Sequence, residues 1–177
     1  VNVVGSTLSR DADAVLYTQA GPEIGVASTK AYLAQLVALT LLAVYLSQDN
    51  GLSLAERNEI VAALQKLPEQ IEEILKDKDS IEALARRLSS HSCFFFLGRG
   101  YDYAASMEAA LKLKEISYIH AAAYAAGEMK HGPLALVEPG VSVIGLCTQP
   151  STNEKMISNL KEVKAREGTI TTVIRKG

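Results

Sequence analysis

The sequence has no tryptophan, only two cysteines and no strong excess of either charge. Its formal net charge of −2 comes without a basic block, which argues against nucleic acid as the main partner. Cys93 and Cys147 each lie inside an apolar run and have no CxxC or Cys/His ligand spacing, so no metal site is predicted. We interpret both as reduced core residues, which is typical of an intracellular, cytoplasmic protein.

No signal peptide is predicted, and no hydrophobic run is long enough to span a membrane. The most apolar segment, residues 31–46, is interrupted by Gln35 and Thr40 and is shorter than the roughly 18 residues that a membrane span requires. This segment is predicted to be a buried core helix, and we expect no membrane partner. With 48% hydrophobic residues, the chain can bury a sizeable core in one domain or in parts of two.

Hydrophobic periodicity predicts strands near the amino end and helices in the middle of the chain. Residues 1–4 and 14–18 are short apolar runs typical of strands. The segments with helical spacing of apolar residues are 54–67, 68–76 and 80–89. We interpret this charge-rich helical middle as a connector between two α/β segments, with a boundary near residue 77.

A regular alternation of strands and helices begins with the apolar run 92–97. The predicted strands are 92–97, 141–147 and 169–174, and the predicted helices between them are 104–117 and 153–166. This alternation predicts an α/β fold with a parallel sheet and helices on both faces. Ligands of such sheets bind in the crevice beyond the carboxyl ends of the strands.

Gly98, Arg99 and Gly100 follow the first of these strands and resemble the start of a dinucleotide-binding turn. The third glycine of a GxGxxG motif is replaced by Tyr103, and no acidic residue ends the strand that begins at Val141, so no dinucleotide cofactor is predicted. The two glycines instead permit a tight turn close to a sugar. Arg99 either binds a phosphate or carboxylate or is an exposed loop side chain, and the sequence leaves both interpretations open.

The segment 110–136 carries the residue types that sugar isomerisation needs. Lys112 and Glu115 lie three residues apart in a predicted helix, and therefore on one face, with Glu108 one turn earlier. His131 lies in a predicted loop, and a histidine gives and takes protons near neutrality. The alternatives are a solvated stripe of ion pairs and a structural histidine. The closeness of a carboxylate, an ammonium and a histidine in the sequence favours a catalytic site.

A second candidate site precedes the long apolar helix and includes Val26 and Ser28. A helix amino terminus offers unpaired N–H groups and the positive end of the helix dipole, which suit a phosphate or sugar hydroxyls. The alternative is ordinary capping of this helix by the hydroxyl of Ser28 or Thr29.

Four segments of the chain resemble one enzyme family. ALKLKEISYIH and AYAAGEMKHGPLAL, with the upstream GPEIGVASTKAY and FFFLGRG, resemble the isomerase (SIS) domain of the glutamine:fructose-6-phosphate amidotransferases, and the resemblance extends from Val1 to Gly177. It implies a three-layer αβα SIS fold made of parts of two tandem subdomains. Residues 1–76 would be the carboxyl-terminal part of the first subdomain with connector helices. Residues 77–177 would be a second subdomain, incomplete at its carboxyl end.

The resemblance also implies a reaction and residue roles. The family converts fructose 6-phosphate and glutamine-derived ammonia into glucosamine 6-phosphate, without a metal or an organic cofactor. Glu115 matches the base that moves a proton between C1 and C2, and Lys112 matches a lysine beside that base. His131 matches the ring-opening histidine, which reaches the active site from a neighbouring subunit, so a homodimer is implied. Ser28 and the backbone at Val26 match positions that line the sugar-phosphate pocket.

Several parts of the family pattern are absent from this sequence. They are the glutaminase domain, the SxSGxT loop that holds phosphate and the carboxyl-terminal lysine that forms a Schiff base. Ala122 replaces a family glutamate, whereas Glu128 is retained. The chain begins at Val1 inside a predicted strand, so we interpret it as a fragment with weak or no turnover by itself. The alternatives are a non-catalytic sugar-phosphate-binding SIS module and a related SIS ketose isomerase or deglycase.

Overall fold

The computed structural model describes residues 1–49 and 51–175 and divides into two compact units, Val1–Ile81 and Glu82–Gly177, which we call the first unit and the second unit. The α-helices are α1 (Thr7–Asp11), α2 (Lys30–Leu46), α3 (Leu54–Gln65), α4 (Leu67–Lys76), α5 (Lys78–Leu88), α6 (Tyr101–Ser117) and α7 (Asn153–Lys164). The strands are β1 (Cys93–Gly98), β2 (His120–Ala125), β3 (Val141–Cys147) and β4 (Thr169–Ile174). Short 3₁₀ helices cover Ala126–His131, Pro133–Leu136 and Pro150–Thr152.

The second unit is built around a parallel sheet. Within the described residues, its four strands have the order β2-β1-β3-β4. Strand β1 lies between β2 and β3, so that Phe95 is opposite Ala122 on one side and Val143 on the other. Parallel neighbours need crossover connections, and α6 connects β1 to β2 while α7 connects β3 to β4.

Side chains of β1 alternate between the two faces of the sheet and pack against helices on both. Phe95 lies in a buried cluster with Met156 of α7. Phe94 lies in a cluster on the opposite face, with Leu88 of α5 and Ala110 of α6. Helices therefore cover both faces, as a parallel sheet requires. The predicted α/β fold, a parallel sheet flanked by helices, is confirmed.

Strand β2 corrects the predicted order of elements, in which no strand lies between residues 97 and 141. Its sequence is HAAAYA, and alanine has the highest helix propensity of all residues. In the structure, pairing with β1 overrides that propensity. Ala121 and Ala123 pack in the same cluster as Ala110 of α6, and their small side chains let the helix lie close to the strand.

The apolar helix α2 is not a core helix in this structure. Among the described residues, α2 contains no buried residue, and Leu39 is 62% exposed. The prediction of a buried core helix is therefore wrong for this chain. A helix that is apolar on all sides needs covering elements on all sides, and the described residues of the first unit do not supply them. Neither α2 nor any other described helix is long and apolar enough to cross a membrane.

The two strands predicted near the amino end do not form as regular strands. Val1 N donates to Leu16 O at 2.8 Å, and Thr18 N donates to Val1 O at 2.9 Å. These bonds resemble one step of a parallel ladder. Among the described residues, no regular strand extends that ladder, so the backbone remains irregular over 1–4 and 14–18.

Candidate active site

The outer face of α6 carries an ion-pair cluster, as the sequence spacing predicts. Lys112 Nζ lies 2.7 Å from Glu115 Oε2 and 3.2 Å from Glu108 Oε1. All three side chains are partly exposed. The hydrogen bond to Glu115 raises the pKa of Lys112 above its ordinary value. One ammonium therefore bridges two carboxylates, and it stays charged at neutral pH.

A tight turn and a buried carboxylate fix the start of α6. A side chain at Gly98 would overlap the backbone of Asp102, so the turn from β1 into the helix accepts only glycine there. Asp102 lies in the first turn of α6 and is buried. Its carboxylate accepts hydrogen bonds from Thr148 N at 2.9 Å and from Thr148 Oγ1 at 2.5 Å. The helix that carries Glu115 is thus tied to the carboxyl end of β3.

His131 lies at the end of the 3₁₀ helix Ala126–His131, which we call the histidine turn. A 3₁₀ helix repeats every three residues, so side chains three apart share a face. Ala126 and Met129 are fully buried, whereas the side chains of Glu128 and His131 are 71% and 74% exposed. His131 Nε2 is 3.9 Å from Glu128 Oε2. The period of the turn therefore inserts one face into the core and presents Glu128 and His131 to solvent.

Arg99 is engaged within the protein and is not a freely exposed loop side chain. Its Nε and Nη2 donate to Asn159 Oδ1 at 3.2 and 3.1 Å. Gln149 Nε2 donates to the backbone carbonyl of Arg99 at 2.8 Å. The interpretation as an exposed loop side chain is therefore wrong, because Asn159 and Gln149 hold both the side chain and the backbone. Direct contact between Arg99 and a ligand stays a prediction.

In the first unit, the amino terminus of α2 is capped by a residue that the sequence analysis overlooks. Glu23 accepts hydrogen bonds from the backbone N–H groups of Thr29 at 3.2 Å and Ala31 at 3.0 Å, and from the Thr29 hydroxyl at 3.2 Å. The bond from Ala31 lowers the pKa of the Glu23 carboxyl. The alternative of ordinary hydroxyl capping is not observed, because the N-cap residue of α2 is Thr29 and its side chain makes no capping hydrogen bond. Val26 is 88% exposed.

The structure brings some candidate residues together and leaves others apart. Lys112 and Glu115 form a direct pair, whereas the ion pair of His131 among the described residues is with Glu128. Val26 and Ser28 belong to the first unit, and their role in a sugar-phosphate pocket stays a prediction.

Asn159 is a residue of the site that the sequence analysis misses. It is 7% exposed and lies in α7 between the buried residues Met156 and Val163. Its position among the apolar residues of an amphipathic helix could have indicated its role, because a buried polar residue needs a hydrogen-bond partner.

Ala122 and the two cysteines are part of the packing of the second unit. Ala122 packs against the buried cluster that contains Phe95. Cys93 and Cys147 are free thiols, and burial raises the pKa of both. No group of three or more histidine, cysteine and acidic side chains among the described residues is arranged to hold a metal ion.

Known proteins resemble this chain over nearly its whole length. The SIS domain family model matches residues 1–45 and 87–176. The glutamine–fructose-6-phosphate aminotransferase (isomerizing) of Symbiobacterium thermophilum is 55% identical over 177 residues, and that of Clostridium perfringens is 53% identical. Each match covers 99% of this chain and 29% of the relative. The chain therefore spans less than a third of the length of these relatives.

Solved structures give the same result. The C-terminal domain of glucosamine-fructose-6-phosphate aminotransferase from Francisella tularensis matches with a TM-score of 0.94 at 40% identity, over 98% of this chain and 49% of that chain. Glucosamine-6-phosphate deaminase from Thermotoga maritima matches with a TM-score of 0.70 at 27% identity, over 97% of this chain and 49% of that chain. The chain therefore belongs to the SIS domain family and is homologous to part of the glutamine–fructose-6-phosphate aminotransferases.

Proposed function

We propose that this chain is the isomerase part of a glutamine–fructose-6-phosphate aminotransferase, an enzyme that forms glucosamine 6-phosphate for amino-sugar synthesis. The observation that carries the proposal is the ion pair between Lys112 and Glu115, 2.7 Å long, on a helix held by a buried core. The names of the two relatives at 55% and 53% identity support the same reaction.

The chemistry assigned to this pair is a proton transfer between neighbouring carbons. The Glu115 carboxylate takes a proton from C1 of the open-chain sugar and returns it to C2, which requires both carbons within about 3 Å of the carboxylate. Before this transfer, ammonia replaces the C2 oxygen, which leaves as water. As C2 receives the proton, the C1 hydroxyl loses its own proton to solvent and becomes the C1 carbonyl, and negative charge develops on this C1 oxygen. The Lys112 ammonium, which stays charged at neutral pH, stabilises that charge. No metal or organic cofactor is needed for these steps.

His131 is assigned to ring opening, which moves a proton between the ring oxygen and the anomeric hydroxyl. Its exposed position supports a role at a site completed by a second copy of the chain, and we therefore propose a homodimer. Mixing Glu115→Gln and His131→Asn variants tests this arrangement. Mixed dimers then contain one intact site and regain activity that neither variant has alone. Mixtures without regained activity, in a sample shown to contain mixed dimers, would contradict a shared site.

The substrate is a sugar phosphate, and its binding is assigned to the first unit. Val26 is an exposed residue before α2, and Ser28 lies beside the helix amino terminus. Both features suit phosphate or sugar hydroxyls.

Proton–deuterium exchange at C1 of fructose 6-phosphate, followed by NMR in D₂O, tests the assignment of the base. The chain is compared with Glu115→Gln and with Glu108→Gln as the matched control, because both glutamates pair with Lys112 on the same face. We expect exchange to be lost in Glu115→Gln and retained in Glu108→Gln. A non-catalytic sugar-phosphate-binding module would bind the sugar without exchange in any of the three.

The same comparison is then made in a chain with the length of the aminotransferase relatives, because we expect weak turnover from these residues alone. Two results would contradict the assignment of Glu115. One is exchange at C1 that persists in the Glu115→Gln variant of the longer chain, and the other is the absence of exchange in the unmodified longer chain. Incorporation of ¹⁵N-ammonia into glucosamine 6-phosphate separates a synthase from a ketose isomerase, which needs no ammonia. The weaker match to the deaminase, 27% identity against 40%, favours the synthase.

A further inference from the structure

We propose that Arg99, held by Asn159, is a positioning residue that fixes the histidine turn and thereby sets the place of His131. The inference rests on the proposed function, because it assigns Arg99 to the ring-opening side of the same reaction. It replaces a direct contact between Arg99 and the sugar with a mechanical role inside the second unit.

The guanidinium of Arg99 is held in one place by a buried partner. Two of its nitrogens, Nε and Nη2, donate to the same oxygen of Asn159, which lies 60 residues later in the chain. The Asn159 side chain is almost fully buried, so its oxygen has little access to water as a substitute donor. Gln149 holds the Arg99 carbonyl as well. Side chain and backbone of Arg99 are therefore both fixed.

The fixed guanidinium lies directly against the histidine turn. A methyl group built on Gly127, the second residue of the turn, would come within 2.9 Å of Arg99 Nη2. The φ of Gly127 lies outside the left-handed region, so backbone conformation does not require glycine at this position. The close approach of Arg99 explains the glycine instead. Because Gly127 has no side chain, the backbone of the turn can lie against the guanidinium.

The turn needs such external support because 3₁₀ hydrogen bonds have poor geometry and short 3₁₀ helices do not hold themselves. Its buried residues Ala126 and Met129 anchor it from the core side. Lys130 adds an ion pair of 3.0 Å to Glu162 of α7. Arg99 supplies the contact at Gly127, where the turn begins. Together these contacts define where Glu128 and His131 emerge, and a displacement of about 1 Å at a catalytic group can cost about 100-fold in rate.

Two variants distinguish positioning from direct sugar binding. Arg99→Ala removes the guanidinium, whereas Asn159→Ala leaves it present but releases it. A positioning role predicts that both variants lose amide protection over the histidine turn and shift the NMR signal of the His131 ring. A direct sugar contact predicts weaker binding of fructose 6-phosphate in Arg99→Ala alone, with the turn unchanged, and this result would overturn the proposal.

Gly127→Ala tests the close approach itself, with Gly145→Ala as its matched control. A methyl at Gly145 also comes within 2.9 Å of a side-chain atom, Leu160 Cδ2, but Gly145 lies in β3 and not in the turn. We expect Gly127→Ala to displace the turn, and to do so less when Arg99→Ala is already present. Gly145→Ala should lower the melting temperature and leave the exchange of the turn unaltered. Equal effects of Gly127→Ala in both backgrounds would also overturn the proposal.

The catalytic readout is the rate of interconversion between the anomers of fructose 6-phosphate, measured by magnetisation transfer in the chain with the length of the relatives. We expect Arg99→Ala and Asn159→Ala to slow ring opening by about 10- to 100-fold, with sugar binding unchanged. If the unmodified enzyme opens no ring while the exchange and NMR effects persist, the proposed function fails and the positioning of the turn stands. If the turn is unchanged in both variants, the positioning proposal fails whatever the activity.

Discussion

Both units contain long apolar segments, but they differ in whether those segments are buried. Leu97 in β1 of the second unit is 0% exposed, whereas Leu39 in α2 of the first unit is 62% exposed. In the described part of the first unit, Ala27 is the only buried apolar residue. The second unit buries most of β1 and β3 because helices cover both faces of the sheet. Apolar composition therefore predicts burial only where the covering layers belong to the same compact unit.

The contrast also separates the candidate residues. Lys112, Glu115 and His131 belong to the second unit, which has a buried cluster on each face of its sheet. Val26 and Ser28 belong to the first unit, whose described residues form no such cluster. A proton-transferring group has to be held to a fraction of an ångström, so a packed scaffold suits the base. The difference in packing thus matches the difference in proposed role.

The largest expected effect comes from the matched substitutions Leu97→Ala and Leu39→Ala. Truncation of Leu97 leaves a cavity in the core of the second unit, and such changes cost about 2–5 kcal/mol. Truncation of the mostly exposed Leu39 should change stability by no more than about 0.5 kcal/mol. Urea unfolding followed by circular dichroism measures both free energies of unfolding. Equal losses would remove the contrast between the units.

A smaller effect is expected from Asp102→Asn, compared with Asp13→Asn in the first unit. Asparagine keeps the size of Asp102 but removes the carboxylate. Its oxygen can still accept from Thr148 N and its amide nitrogen can donate to Thr148 Oγ1, so both bonds become bonds between neutral groups. Replacing a hydrogen bond to a carboxylate by a bond between neutral groups costs about 1 kcal/mol. Asp13 is exposed, and its substitution should cost no more than about 0.5 kcal/mol. Thermal unfolding measures the loss of stability in both variants. Equal losses would show that the hydrogen bonds between Asp102 and Thr148 contribute little to stability.

The Lys112 cluster should add a small, pH-dependent contribution to the second unit. Because the folded-state pKa of Lys112 is raised, this contribution is full below lysine's ordinary pKa of about 10.4 and is lost as pH rises through the raised value. The effect is small because partly exposed ion pairs are screened by solvent and salt. Unfolding midpoints of the unmodified chain and Lys112→Met should therefore differ near neutrality and converge in alkali. A difference in unfolding midpoint that grows with pH would contradict a stabilising role of the Lys112 ion pairs.

The smallest effect concerns the Glu23 cap of α2 in the first unit. The folded-state pKa of Glu23 is lowered, so its stabilising effect is present above glutamate's ordinary pKa of about 4.3 and is lost as pH falls through the lowered value. Glu23→Gln should slightly reduce the helical circular dichroism signal at neutral pH, and less so at high salt. The two proteins should become alike in acid. A difference that persists there would argue for packing, not charge, at this position.

The fold class and the ion pair on α6 could be predicted from the sequence because both depend on local spacing. Alternation of strands and helices predicts the parallel sheet, and a three-residue spacing places Lys112 and Glu115 on one helix face. Strand β2 could not be predicted in this way, since its alanines favour a helix until β1 pairs with them. Its place in the sheet is a tertiary effect.

The parts of the site that depend on distant residues could not be predicted. Arg99 and Asn159 are 60 residues apart, and no periodicity connects them. The exposure of α2 has the same origin, because its composition is that of a core helix and only the absence of covering elements among the described residues makes it exposed. Glu23 lies six residues before Thr29, and it reaches the helix terminus only because the intervening chain folds back.

The central claim is that the second unit holds its fold, and with it the candidate base, through its own core. Native-state hydrogen exchange of backbone amides in this chain tests that claim most directly. We predict slow exchange in β1, β3 and the inner face of α6, and exchange in α2 that is faster by orders of magnitude. If the amides of α2 were as protected as those of β3, the contrast between a packed unit and an open one would be wrong.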